Sequence, residues 1–301
     1  MLTLASGRVM SCGTNITVMG GADDLADRAL DRLADLEQRW SRFIARSEIS
    51  RLNDAHGEPV RVSPETVRLV SSLVQGWYAT NGAFDPTLLA AMVELGYSSS
   101  RDDTTLRTSL GPEVAPQGQP ERILVDPNHG VVQLPRGTTL DPGGLGKGLA
   151  ADIVCEELLA AGAKGALVEV GGDLRAAGET PSAQGWTVSV AASFPDESPS
   201  VIGLRSGGIA TSSSRIRTWR AGDESRHHLL NPRTLRSCRT SVVACTVIAG
   251  TGAWAEAFTK PAFALEIPDA LEFFEQHGLA VCVTTDDRTQ HVTPAWSEFA
   301  R

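Results

Sequence analysis

The sequence predicts a mixed α+β fold, and three observations carry that expectation. Several segments repeat apolar residues at helical spacing. Several short segments are β-branched and either alternate or stay apolar throughout. The two kinds of segment interleave without a strict strand–helix–strand rhythm, so a mixed α/β sheet is expected in place of a doubly wound parallel one.

The elements follow in chain order. Residues 8–19 alternate around Asn15-Ile16-Thr17-Val18 and read as one strand. Leu25, Ala29, Leu33, Leu36 and Trp40 lie on one face of an amphipathic helix, with Arg39 near its end. Ser63-Pro64-Glu65 reads as an N-cap followed by proline at N1, opening a helix to about Tyr78. Gly82 to Thr87, GAFDPT, is a turn, and residues 98–122 are rich in Ser, Thr, Pro and Gly and read as a long loop or excursion. A helix is expected from Lys147 to Ala161 with Gly162 at C′. Strands are expected at 166–170, 186–192, 201–204, 241–248 and 279–284. Helices are expected at 253–265, broken or kinked by Pro261, and at 269–277.

Composition narrows the function classes. A chain of 301 residues can bury a substantial core as one large domain, and a single domain over 1–301 is expected. A net charge of −9 opposes an extended nucleic-acid surface but leaves room for a small basic pocket. No apolar run approaches the ~18 residues of a membrane span. The N-terminus lacks a charged region followed by an apolar one, so no signal peptide is expected. Five cysteines, at 12, 155, 238, 245 and 282, are scattered and odd in number. They read as reduced thiols in a cytoplasmic protein, outside any disulfide or zinc framework.

The chemistry concentrates at residues 140–175. Leu140-Asp-Pro-Gly-Gly-Leu-Gly-Lys-Gly leads into the helix, and Val168-Glu-Val-Gly-Gly-Asp-Leu-Arg follows it. Gly143, Gly144, Gly146 and Gly148 allow the backbone to approach a ligand, and Lys147 adds charge at a helix start, which suits a phosphate. The segment is neither a P-loop nor a dinucleotide fingerprint. Asp141 and Gly148 stand where a P-loop needs Gly and Ser/Thr, and the glycines are out of step for G-x-G-x-x-G. A Gly-rich connection with a solvated lysine explains the same letters.

Four further segments join this one: Ser41-Arg42-Phe43 leading to Ser47-Glu48-Ile49-Ser50-Arg51-Leu52-Asn53; Gly82–Thr87; Ala210-Thr211-Ser212-Ser213; and His228-Leu-Leu-Asn-Pro-Arg-Thr234, followed by Ser241-Val242 and Ala255-Glu256-Ala257. In this order they resemble the FAD:protein FMN transferase (ApbE) family, from about Cys12 to about Leu265. The resemblance implies a two-lobed protein holding FAD in a cleft between the lobes. It implies transfer of FMN from FAD to a Thr or Ser hydroxyl of an acceptor flavoprotein, with release of AMP and assistance from Mg2+. An FAD-binding or FAD-hydrolysing member that modifies no protein is the alternative.

Carried onto this chain, the resemblance makes Cys12, Phe43, Ala83, Phe84, Asp85, Asp141, Lys147 and Thr211 the FAD-contacting residues. His228 is the general base and Asp141 also belongs to the catalytic group. Asp173 reads as a turn residue shaping the pocket. Gly144 through its carbonyl, Glu256 and Thr259 are the candidate metal ligands. Here the chain departs from the family, because Lys260 stands where a threonine ligand is expected and a protonated lysine cannot bind a cation. Glu256 and Lys260, four apart, read either as a solvated helix pair or as a lysine supplying charge in place of the metal.

Overall fold

The computed structural model describes residues 1–299. Eight strands form the main sheet in the order Leu2–Val9, Cys12–Met19, Gly165–Val170, Asp173–Gly178, Gly207–Ser213, Val242–Ala249, Ala280–Thr285 and Gln290–Val292. Every neighbouring pair is antiparallel. Order along the sheet is order along the chain, so the sheet is a meander whose connections hold every α-helix. The α+β class follows from this, with no parallel pair in the main sheet.

The single strand expected at 8–19 is a hairpin. Val9 pairs with Cys12, leaving Met10 and Ser11 as a two-residue loop with φ of 54° and 59°. Positive φ at both positions is the turn that matches strand twist. Met-Ser carries no glycine or asparagine signal, which hid the turn and the whole Leu2–Val9 strand.

The chain divides into two compact units. The first comprises Met1–Ala34, Lys147–Ser214 and the chain from Arg239 onward, and it holds the main sheet. A hairpin of Trp186–Val190 and Ser200–Leu204 packs Trp186, Val188, Ile202 and Leu204 against Leu174, Ala176, Ile209, Ile248 and Ala280. The Gly252–Phe258 helix packs on the strands Gly207–Ser213, Val242–Ala249 and Asp173–Gly178. Layers on both faces explain why Val242–Ala249 is buried almost throughout and reads as a continuous apolar run.

The Gly146–Ala160 helix meets the Gly252–Phe258 helix backbone to backbone. A Cβ on Gly148 would stand 2.2 Å from the Gly252 carbonyl oxygen. Gly148 was expected to admit a ligand; what it admits is Gly252. Asp152 accepts from the Gly252 and Ala253 amides at 2.7 and 2.9 Å, capping the second helix at that contact. The helix expected over 253–265 is divided, as Pro261 dictates, into Gly252–Phe258 and Pro261–Ala264.

The second unit comprises Asp35–Gly146 and Arg215–Cys238. Ser63 caps the Pro64–Ala79 helix through the Thr66 amide, with proline in the first turn. A three-stranded antiparallel sheet of Val60–Arg61, Val131–Gln133 and Leu124–Asp126 lies beside it. Leu88, Ala91, Leu95 and Leu230 form a small core joined by Met92, Trp219 and Leu235. Residues 98–119 carry turns, bends and one isolated bridge between Ser99 and Arg107. Among the described residues no helix is long and apolar enough to cross a membrane.

Candidate functional site

In the first unit three elements bring charge to one point. Lys147, in the first turn of the Gly146–Ala160 helix, donates to Asp173 Oδ2 and to Glu256 Oε1. The Gly148 amide donates to Glu256 Oε2 at 2.8 Å, so the helix start takes its anion from the protein's own chain. Asp173 begins its strand directly after the Gly171-Gly172 turn and also accepts from the Thr211 amide at 3.2 Å. It is therefore a buried ion-pair partner at 3% exposure, and not simply the turn residue expected. Its signal was faint, since Asp173 lies far from Glu256 in the chain and only the packing of the Gly252–Phe258 helix on the sheet joins them.

Glu256 is 2% exposed, which removes the solvated-pair reading. The side chain of Lys260 turns to other oxygens, donating to the Glu256 carbonyl at 2.8 Å, Thr259 Oγ1 at 3.1 Å and Ser212 Oγ at 3.3 Å. Thr259 Oγ1 is fully buried, donates to the Glu256 carbonyl at 2.8 Å and lies 2.6 Å from Ser212 Oγ. Thr211 Oγ1 sits 2.9 Å from Thr246 Oγ1 on the adjacent strand. Cys12 starts its strand at the same end of the sheet; a Cβ on Gly171 would meet Cys12 Sγ at 2.6 Å and Lys147 Cδ at 3.8 Å.

Burial and charge compete in this cluster. Burial pushes Asp173 up to about 6 against the opposing charge of Lys147. Burial also raises Glu256, but the charges of Lys147 and Lys260 and the Gly148 amide outweigh it and hold the carboxyl below its usual range. Burial pulls Lys260 down to about 8, with Glu256 opposing.

In the second unit Arg42 organises the other candidates. Its guanidinium lies 4.2 Å from the Phe43 ring centre and 4.9 Å from that of Tyr97. Its Nε reaches Asp141 Oδ2 at 3.1 Å, and its other nitrogens donate to Thr108 Oγ1 at 2.8 Å and the Tyr97 carbonyl at 3.0 Å. Asp141 Oδ1 accepts from the Gly143 amide at 2.8 Å, and the Asp141 amide donates to the Pro86 carbonyl at 2.8 Å. The LDPGG turn is thereby tied to the GAFDPT turn. Gly144 has φ of 117°, a backbone conformation that requires glycine.

Within GAFDPT, Asp85 Oδ1 accepts from the Thr87 amide at 2.8 Å and from Thr87 Oγ1 at 2.6 Å, while Oδ2 accepts from Gln117 Nε2 at 2.7 Å. This is the turn-forming geometry of aspartate, and it anchors the 98–122 excursion. The ring of Phe84 is 2% exposed and packs toward Gly76, while Ala83 beside it is half-buried. Tyr97 stacks on Trp219 at 5.4 Å, which brings in the Thr218–Ala221 strand. The half-buried His228 donates its amide to the Arg217 carbonyl at 3.2 Å just before that strand. Sequence reasoning missed Arg42, Tyr97 and Trp219. Only Arg42 had a signal, as the neighbour of Phe43.

Fold and site together define an α+β protein of antiparallel-meander type with a buried lysine–carboxylate cluster and an arginine–aromatic cluster. The ApbE family model matches residues 10–283. The chain belongs to the ApbE family. It is 26% identical over 267 residues to the FAD:protein FMN transferase of Chlamydia muridarum, covering 86% of this chain and 80% of that protein. It is 24% identical over 297 residues to the FAD:protein FMN transferase of Haemophilus influenzae, covering 89% and 80%. The fold matches the crystal structure of the ApbE protein from Thermotoga maritima with a TM-score of 0.87 at 22% identity, over 100% of both chains. It matches the apo Pseudomonas stutzeri flavinyl transferase ApbE with a TM-score of 0.82 at 21% identity, over 99% and 96%.

Proposed function

We propose that the protein is an FAD:protein FMN transferase. The observation that carries this is the family match over residues 10–283, with relatives of that name spanning most of their own length. In the proposed reaction a Thr or Ser hydroxyl of an acceptor protein attacks the FMN phosphorus of FAD. The new P–O bond forms as the anhydride bond to AMP breaks, and the hydroxyl proton passes to a base.

His228 is the proposed base. It lies just before an Asn231-Pro232 turn whose Asn231 Oδ1 accepts from the Arg233 amide at 2.9 Å, and its own amide is held by the Arg217 carbonyl at 3.2 Å. Phe43, Ala83, Phe84, Asp85 and Asp141 are proposed to bind FAD. For Phe84 that contribution comes from its backbone, because its ring is in the core. Cys12, Lys147 and Thr211 are proposed FAD-binding residues as well. Phosphoryl transfer depends on positioning and charge compensation more than on covalent chemistry, and a lysine-rich site meets that demand. A cytoplasmic setting belongs to the same proposal, supported by the scattered, odd-numbered cysteines.

Two of the three candidate donors, Glu256 and Thr259, do not fit Mg2+. Both Glu256 oxygens are engaged, one by the Lys147 ammonium and one by the Gly148 amide. Thr259 Oγ1 faces the Lys260 ammonium. Among the described residues no group of three or more His, Cys, Asp or Glu is placed to hold a metal ion. No step of the proposed reaction is therefore routed through a cation.

The test is intact-mass detection of a flavinylated acceptor together with AMP release. His228→Ala is expected to keep FAD affinity and to slow transfer by about 10²–10⁴-fold. Free FMN and AMP without a modified acceptor would replace this reading with FAD hydrolysis.

A further inference from the structure

We infer that Lys147 and Lys260 take the place of a divalent cation in this protein, so that FAD binding and FMN transfer proceed without Mg2+. The inference deepens the proposed function and rests on it for the identity of the anionic ligand. Two observations carry it independently of each other.

The first is the bridge. Asp173 and Glu256 are two buried carboxylates facing one another, an arrangement that a divalent cation would neutralise by bridging. The Lys147 ammonium already occupies the bridge, donating to one oxygen of each. Their other oxygens accept from the Thr211 and Gly148 amides. A metal entering there must first displace an ammonium from both carboxylates.

The second is a set of three oxygens one strand and one helix turn away. The Glu256 carbonyl, Thr259 Oγ1 and Ser212 Oγ converge on a single point, at 2.8, 3.1 and 3.3 Å from Lys260 Nζ. A carbonyl and two hydroxyls are hard donors of the kind a magnesium ion uses. An ammonium has three N–H groups, and three acceptors meet them here. The residue that would otherwise extend the donor set is the one that fills it with its own charge.

The charge balance agrees. Asp173 and Glu256 contribute two formal negative charges and Lys147 and Lys260 two positive ones, which cancel. A divalent ion added to this cluster would face two ammonium groups in a largely buried setting, where charges are weakly screened. A pyrophosphate arriving at the same cluster competes with Asp173 and Glu256 for the Lys147 ammonium, which supplies the positive charge already in position. Lys147 is then the group that compensates the departing AMP phosphate, and Lys260 holds Thr259 and Ser212 in place beside it.

The experiment has two readouts. Titration of the ligand-free protein with MgCl2 is expected to give no binding heat and no shift in melting temperature. Calorimetric FAD affinity is expected to be the same, within about twofold, in EDTA and in MgCl2. Lys260→Thr supplies a neutral oxygen donor in place of the ammonium. Its FAD affinity is expected to fall by about tenfold in EDTA, because a buried positive charge beside the pyrophosphate is lost, and to recover with Mg2+. Lys260→Met removes the charge without adding a donor, so the same loss is expected without recovery. Lys260→Arg keeps the charge and is expected to stay indifferent to Mg2+; it serves as the decisive variant if the neutral ones fail to fold. Wild-type protein that binds Mg2+ when ligand-free, or whose FAD affinity collapses in EDTA and returns with Mg2+, overturns the inference. Failure of the functional reading looks different, as absence of FAD binding in either medium, and the MgCl2 titration still decides the inference in that case.

Discussion

Asn53 and Leu140 exchange a closed pair of hydrogen bonds across 87 residues of chain: Asn53 Nδ2 donates to the Leu140 carbonyl at 2.9 Å, and the Leu140 amide donates to Asn53 Oδ1 at 2.7 Å. The asparagine amide acts as a strand partner for a fully buried residue that has no strand beside it. Leu140 immediately precedes Asp141, so this pair holds the LDPGG turn to the end of the Glu48–Asn53 helix.

Removing that pair should be costly. Asn53→Ala leaves a buried amide and a buried carbonyl unsatisfied, and a loss of about 2–4 kcal/mol is expected. Asn53→Asp keeps the acceptor but loses the donor and sets a carboxylate against a carbonyl, so it should destabilise as well. Urea unfolding of both variants measures this, and a loss below about 1 kcal/mol for Asn53→Ala would show that water or a local shift takes over.

Gly148→Ala tests the backbone contact between two helices. Its Cβ would sit 2.2 Å from the Gly252 oxygen and 2.4 Å from the Gly252 carbonyl carbon, and backbone cannot rotate away as a side chain can. A loss of about 3 kcal/mol is expected. Gly13→Ala is the control, because a Cβ there meets nothing within 4 Å. It should change stability by no more than about 0.5 kcal/mol.

Arg42→Lys should not behave as a conservative change. The guanidinium reaches Asp141, Thr108 and the Tyr97 carbonyl while lying against Phe43. One ammonium cannot reproduce that fork or the planar stacking. Thermal melting should report a loss of about 2 kcal/mol. Under the proposed function, FAD affinity should fall because Asp141 and Phe43 lose their common support.

The thiols should divide by burial. Cys12 is partly exposed, whereas Cys155, Cys238, Cys245 and Cys282 are buried and none of the five is in a disulfide. Burial pushes the Cys155 and Cys238 thiols up to about 12, which keeps them protonated and unreactive near neutral pH. Iodoacetamide should therefore modify Cys12 in the native protein and all five cysteines only after unfolding. Mass mapping that finds Cys155 labelled first would contradict the burial argument.

The sequence alone carried what depends on near neighbours. The Leu25–Trp40 and Pro64–Ala79 helices follow from apolar spacing and from the Ser63-Pro64 cap, and the break at Pro261 follows from a missing amide. The order of short motifs was enough to reach the ApbE family, which the match over residues 10–283 bears out. Tertiary structure decided what depends on distant residues. Lys147 meets Asp173 26 residues away and Glu256 109 residues away because antiparallel register and helix packing bring their elements to one end of the sheet. The same packing turned Gly148 toward Gly252 and buried Glu256, where local spacing had suggested a ligand and a solvated helix face. Periodicity reports which face of an element is apolar. It carries no information on which other element covers that face, and that pairing is what determines whether a charged side chain meets water, a ligand or another charge.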